Sequence, residues 1–243
     1  MARHVSGILE QRGDGLRADR RCVSLEWMRP RISHPIFARV FERLAVRLDA
    51  AGGAAHRHRL VAGLSGRVIE VGAGSGRNFA HYPPEVSAVL AVEPEPRLRA
   101  AARRAAAAAP VPVTVVDGVA DDLPAADATF DAAVFSLVLC SVPDQLAALA
   151  ETRRVLRPGG RLRFYEHVAA ERPGALRRVQ RFVDATIWPA LCGGCHTSRD
   201  TVAAIHAAGF VITEVDRFRF PDLPVALAAA PHVLGSATRP AGG

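Results

Sequence analysis

The chain contains no lysine, and all 31 of its basic residues are arginine. Together with the Ala-rich runs, this one-sided usage reflects genome composition more than chemistry. Cysteine is scarce. Four residues, Cys22, Cys140, Cys192 and Cys195, in 243 do not make a disulfide scaffold, so a reducing cytoplasmic setting is expected. No run of 18 or more apolar residues exists, which excludes an ordinary membrane-spanning helix. The N-terminus lacks the apolar core of a signal peptide. Aromatics are 6% of the chain and do not interleave with the arginines, so stacking on nucleic-acid bases is not expected. No N-P-P-Y-like tetrapeptide and no internal repeat is found.

What is present is an apolar-rich chain, 49% hydrophobic, long enough for one domain with additions. The net charge of +7 is concentrated at the front, where residues 1–60 hold twelve Arg against six acids. Residues 1–30 are polar, aperiodic and Arg-rich and are expected to form a mobile extension, leaving 31–243 as a single domain. Ile36, Phe37, Val40, Phe41, Leu44 and Leu48 follow helical spacing, and a second short helix is expected from Ala54 to Gly63. Arg39, Arg43 and Arg47 on the polar face of the first helix allow at most weak contact with a membrane surface, without insertion. Farther on, apolar strands alternate with helical stretches, the pattern of a parallel sheet covered by helices on both faces.

The segment Val68-Ile69-Glu70-Val71-Gly72-Ala73-Gly74-Ser75-Gly76-Arg77-Asn78 is the most specific in the chain. An apolar strand meets an acid and then three alternate glycines, where a ligand can lie against backbone. The spacing G-x-G-x-G differs from the G-x-G-x-x-G of dinucleotide sites. A second apolar run ends in Glu93, seventeen residues after Gly76, placed to accept both hydroxyls of a ribose. Three more strand candidates follow, at 113–118, 129–139 and 161–164, with Asp121 in the loop after the first of these.

In this order the features resemble the class I S-adenosylmethionine (SAM) methyltransferases. The resemblance implies a Rossmann-like α/β fold with a seven-stranded, mostly parallel sheet, its last strand antiparallel. It implies SAM held by Glu70, Gly72, Gly74, Gly76 and Asn78, with a helix starting near Arg77-Asn78 whose N-terminus receives the methionine carboxylate. Glu93 and Pro94 would hold the ribose. Val119, Ala120 and Asp121 would face the adenine, and Ser136 and Leu137 the methyl group. The family commonly has an acid where Val119 stands, so Asp121 or the Ala120 backbone is expected to substitute. The two N-terminal helices would lie across the cleft as a partial lid.

Ser136 to Val142, Phe164 to Val168, Ile187-Trp188-Pro189 and Gly193 to Asp200 are similar to the alkyl thiol methyltransferase branch, which has animal and bacterial members. The animal members' apolar anchor does not match the polar, Arg-rich start of this chain. The resemblance implies a small apolar methyl acceptor, a thiol first. A quinone, phenol, specialised metabolite or lipid amine methylated at O, C or N is the alternative, as is a SAM-binding module without turnover. A thiol with pKa about 8.5 supplies some thiolate by itself. If a base is used, His167 is the first candidate and His196 the second. Trp188, Phe37 and Phe41 would wall the acceptor. Cys192-Gly-Gly-Cys195-His196 matches a haem-attachment spacing, which needs export, and no second ligand pair at zinc spacing follows it, so no metal is expected.

Overall fold

The computed structural model describes residues 35–221 and 227–242. The Arg-rich extension expected over 1–30 lies outside the described residues. Two helices, α1 (Pro35–Leu48) and α2 (Ala54–Val61), joined through Asp49–Gly53, precede the sheet. Then come β1 (Gly66–Val71), β2 (Val86–Val92), α3 (Pro96–Ala106), β3 (Val113–Val116), β4 (Phe130–Ser136), α4 (Gln145–Val155) and β5 (Leu156–His167). The chain continues through α5 (Ala175–Asp184), α6 (Trp188–Leu191), α7 (Thr201–Ala207), β6 (Val211–Arg219) and β7 (Pro231–Thr238).

The strands form one seven-stranded sheet in the order β3-β2-β1-β4-β5-β7-β6. Pairings from β3 through β5 are parallel; β7 runs antiparallel between β5 and β6. Strand order reverses between β1 and β4. The carboxyl ends of strands flanking such a reversal are the usual place for a ligand in an open α/β sheet. Buried residues from α4 and α7, among them Leu149 and Ile205, join one core cluster. Leu60 and Val61 of α2 and Ala102 of α3 join the other, so helices cover both faces as the alternation predicts.

Local chemistry sets the helix starts. The Glu95 carboxylate accepts the Leu98 N–H at 2.7 Å, with Pro96 opening α3. Asp144 accepts the N–H groups of Leu146 and Ala147 at α4, and Asp200 that of Ala203 at α7. Each is an N-cap acid answering backbone donors that have no partner within the helix.

One expectation fails. No α-helix follows the glycine loop; a single 3₁₀ turn, Phe79–His81, stands there. Pro83 and Pro84 explain it: Tyr82, before the first of them, is extended at ψ 131°, and a proline supplies no N–H to continue a helix. One turn carries no useful macrodipole, so the anticipated helix-end site for the methionine carboxylate does not exist here.

Candidate active site

The glycine loop turns on three left-handed residues, Gly72 (φ 68°), Gly74 (φ 56°) and Gly76 (φ 79°). At Gly72 a Cβ would also stand 2.5 Å from Val138 Cγ2, which presses the loop against the segment leaving β4. Over Gly74 stands the Phe41 ring of α1, 3.6 Å from where a Cβ would be, and Phe41 stacks on Phe37 at 5.3 Å between centroids.

Glu70 is 1% exposed, and its two oxygens accept from Asn78 Nδ2 and the Tyr82 hydroxyl, both at 2.8 Å. It therefore orients the loop's exit. Burial raises its pKa to about 7 despite these two donors. Asn78, 2% exposed, passes the connection on, its Oδ1 accepting from Arg57 Nη1 at 3.0 Å. Glu93 stands one residue past β2. Its carboxylate accepts the Gly74 N–H at 2.7 Å and the Glu95 N–H at 2.9 Å, and burial pushes its pKa up to about 7. Each oxygen keeps a further lone pair for a diol. Pro94 follows, its carbonyl accepting from Arg99. Val119 and Ala120 are half-buried, and Asp121 is exposed.

Sequence reasoning missed Arg57. Its guanidinium donates to Asn78, to Ser136 Oγ at 3.2 Å and to Asp49 Oδ1 at 2.8 Å, while Asp49 Oδ2 holds Arg77 Nε at 2.6 Å. Two cations thus meet one carboxylate beside the glycine loop, where the absent helix end was to have received an anion. The available signal was phase: Arg57 lies three and four residues before Leu60 and Val61, on the buried stripe of α2.

A raised carboxylate pKa has a consequence for stability. Glu70 binds its proton more tightly folded than unfolded, so its stabilising effect is complete below about pH 4.5 and is lost as pH rises through about 7. Glu70→Gln removes this titration. Between pH 4.5 and 7.5 the variant is expected to gain about 3 kcal/mol on the unmodified protein, from about 1.4 kcal/mol per pKa unit. Paired denaturant titrations without SAM at four pH values measure it; a pH-independent difference would show that Glu70 titrates normally.

At the β4 exit Leu137 adopts φ 61°, a conformation a non-glycine residue holds only when its surroundings enforce it. They do. Its N–H donates to the Tyr165 carbonyl at 2.7 Å, and the next three N–H groups, of Val138, Leu139 and Cys140, all donate to the buried Glu166 carboxylate at 3.0 to 3.1 Å. Burial raises the Glu166 pKa, opposed by those three donors.

His167 ends β5. Its Nδ1 lies 3.6 Å from Cys140 Sγ and 3.5 Å from Cys195 Sγ, and the two sulfurs are 3.8 Å apart. The shared contact with Cys140, helped by His167, pulls the Cys195 thiol below its ordinary value against the effect of burial, while Cys140 is pushed up. Cys195 sits on a loop tied to its neighbours: His196 N–H donates to the Cys140 carbonyl at 2.8 Å. A Cβ on Gly194 (φ 90°) would stand 2.5 Å from the Ser141 carbonyl oxygen, so only glycine allows this approach. Asp184 of α5 accepts the backbone N–H and hydroxyl groups of Thr197 and Ser198. The His196 ring contacts its own loop, Nδ1 to Gly194 O at 2.7 Å, and does not join the thiols.

The donor set fits SAM: a carboxylate for a diol, a guanidinium for a carboxylate, glycines for close approach and aromatic carbons above. Residues 69–164 match the family model described as "Methyltransferase domain". The chain is 35% identical over 183 residues to human thiol S-methyltransferase TMT1B, covering 73% of each chain. This chain belongs to the SAM-dependent methyltransferases. Human thiol S-methyltransferase TMT1A is also 35% identical, again over 73% of each chain. Among solved structures, a SAM-dependent methyltransferase of Thermotoga maritima superposes with TM-score 0.59 at 25% identity, over 84% of this chain and 98% of that one. Geranyl diphosphate methyltransferase in complex with SAM, at 15% identity and TM-score 0.59 over 78% of this chain and 85% of that one, shares the fold.

Proposed function

We propose that this SAM-dependent methyltransferase acts on the sulfur of a small apolar thiol. The observation that carries the reading is the 35% identity, over 73% of each chain, to proteins named thiol S-methyltransferases. In this reading the acceptor end is formed by Cys140 beyond β4, His167 at the end of β5 and Cys195 on the loop beside them. Bound SAM supplies a methyl group already activated by its positive sulfur. The protein's task is to align the acceptor and exclude water, and alignment alone is worth roughly 7–11 kcal/mol.

In this reading Glu93 holds the ribose hydroxyls and Gly72, Gly74 and Gly76 admit the cofactor against backbone. Arg57, steadied by Asn78 and Glu70, receives the methionine carboxylate. Val119 to Asp121 border the adenine, and Ser136 and Leu137 face the methyl group. Helix α1 acts as the lid, Phe37 and Phe41 walling the acceptor together with Trp188. Free Cys140, Cys192 and Cys195 suit a reducing cytoplasmic compartment. Among the described residues no helix is long and apolar enough to cross a membrane.

The test is SAM turnover against matched alkyl thiols, phenols, quinols and amines. Methylated thiol with S-adenosylhomocysteine release is expected, and His167→Ala should lower thiol turnover about 100-fold or more. Methylation of a phenol, quinol or amine in preference to every thiol would move the assignment to O-, C- or N-transfer. SAM binding without any product would indicate a binding module.

A further inference from the structure

The three side chains at the acceptor end are spaced as metal ligands are. Zinc bonds to sulfur at about 2.3 Å and to imidazole nitrogen at about 2.05 Å; in a tetrahedron this sets sulfurs about 3.8 Å apart and sulfur and nitrogen about 3.6 Å apart. The observed separations are 3.8 Å for Cys140 Sγ to Cys195 Sγ, and 3.6 and 3.5 Å from these sulfurs to His167 Nδ1. All three distances agree at once, although the ligands come from three separate segments. Each ligand is also held from behind. Glu166 pins the Cys140 backbone, the His196 N–H to Cys140 carbonyl bond couples the two cysteine loops, and Asp184 anchors the segment after Cys195. Fixed donors on a rigid frame are what a preformed metal site needs.

We propose that Cys140, His167 and Cys195 bind one zinc ion and leave its fourth position to the acceptor thiol. Two thiolates and one imidazole are a soft to borderline set that suits zinc, and three protein ligands with one open position is the catalytic form of such a site. No fourth His, Cys, Asp or Glu joins the group among the described residues. Cys140 and Cys195 are buried and His167 half-buried, which leaves an approach on the histidine side. Cys192 stands outside this group.

The inference rests on the thiol reading and extends it. Binding replaces the acceptor's S–H bond by a zinc–sulfur bond, and the proton leaves to solvent. The thiolate electron pair then forms the new sulfur–carbon bond as the methyl–sulfonium bond breaks, that bond's pair staying on the sulfur of S-adenosylhomocysteine. The thioether product is a poor zinc ligand and departs. His167 thus serves through Nδ1 as a ligand rather than as a free base.

The experiment is metal analysis of the full chain purified with added zinc and no chelator. About one zinc per chain is expected. Cys140→Ser, Cys195→Ser and His167→Ala should each weaken binding tenfold or more, while Cys192→Ser retains it. Chelator-stripped unmodified protein, checked for retained SAM binding, gives the same comparison without a mutation. Reloaded with cobalt(II), it should show a thiolate charge-transfer band and visible bands that shift when an alkanethiol is added. A chain with reduced cysteines that binds no zinc yet methylates thiols overturns the metal and leaves the thiol reading standing. Isolation with a Cys140–Cys195 disulfide, and no zinc uptake after reduction, overturns it as well. Bound metal whose visible bands ignore saturating alkanethiol, in a protein that methylates no thiol, overturns the open position and the thiol reading together.

Discussion

Replacing Glu93 with Gln is expected to weaken SAM binding about 100-fold or more while leaving the protein folded. The carboxylate accepts the Gly74 and Glu95 N–H groups, one on each oxygen, and so ties the glycine loop to the end of β2. A glutamine can satisfy only one of these donors; its amide NH₂ would face the other, donor against donor. The remaining lone pairs are those proposed to take the ribose hydroxyls, and hydrogen bonds to a charged group are worth about 1.5–3 kcal/mol each. The variant thus loses a charged acceptor for the diol and the fixed position of the loop in one change. Isothermal titration of SAM, with the melting temperature of the free protein as control, measures it. A tenfold or smaller change in affinity would mean that the ribose is held elsewhere.

Legibility followed the range of each interaction. Periodicity and turn residues act locally, so the strands, α1 and α2 stood close to where the pattern put them, while the antiparallel last strand was what the family resemblance implied. The glycine loop and Glu93 were legible for a related reason: their spacing is a property of one strand–turn–strand unit. The missing helix after Asn78 was a local error, since Pro83 and Pro84 stood in view as breakers and the family pattern was allowed to override them. Arg57 was harder, its partners Asn78 and Ser136 lying 21 and 79 residues away. The thiol–imidazole group was beyond reach for the same cause. Its members are separated by 27, 28 and 55 residues, and only the carboxyl ends of β4 and β5 and the loop through Cys195 bring them together. Cys192 and Cys195 are near in sequence, whereas the contact of Cys195 with Cys140 spans 55 residues and has no local signal.

That same convergence makes Glu166 the residue whose loss should cost most. Glu166→Ala leaves the N–H groups of Val138, Leu139 and Cys140 without an acceptor, beside a Leu137 backbone held at φ 61°. An unsatisfied buried donor costs about 1–3 kcal/mol, so the segment should either rearrange toward water or lower stability by about 3 kcal/mol or more. Either way Cys140 leaves its position relative to His167, and turnover should fall at least about 100-fold, since small misplacements of positioned groups have costs of that order. Glu166→Gln separates packing from hydrogen bonding. Its carbonyl oxygen can still accept the Val138 and Leu139 pair that shares Oε1, while its NH₂ meets the Cys140 N–H, so an intermediate loss of stability and a disproportionate loss of turnover are expected. SAM affinity should fall less than turnover in both: Glu93 still holds Gly74, but Val138, one of the released residues, packs against Gly72 of the glycine loop. Denaturant unfolding and steady-state kinetics on the two variants give the comparison. A Glu166→Ala protein within 0.5 kcal/mol of the unmodified chain, within the usual range for surface substitutions, and with kcat unchanged would show that the carboxylate neither supports the strained exit nor positions Cys140.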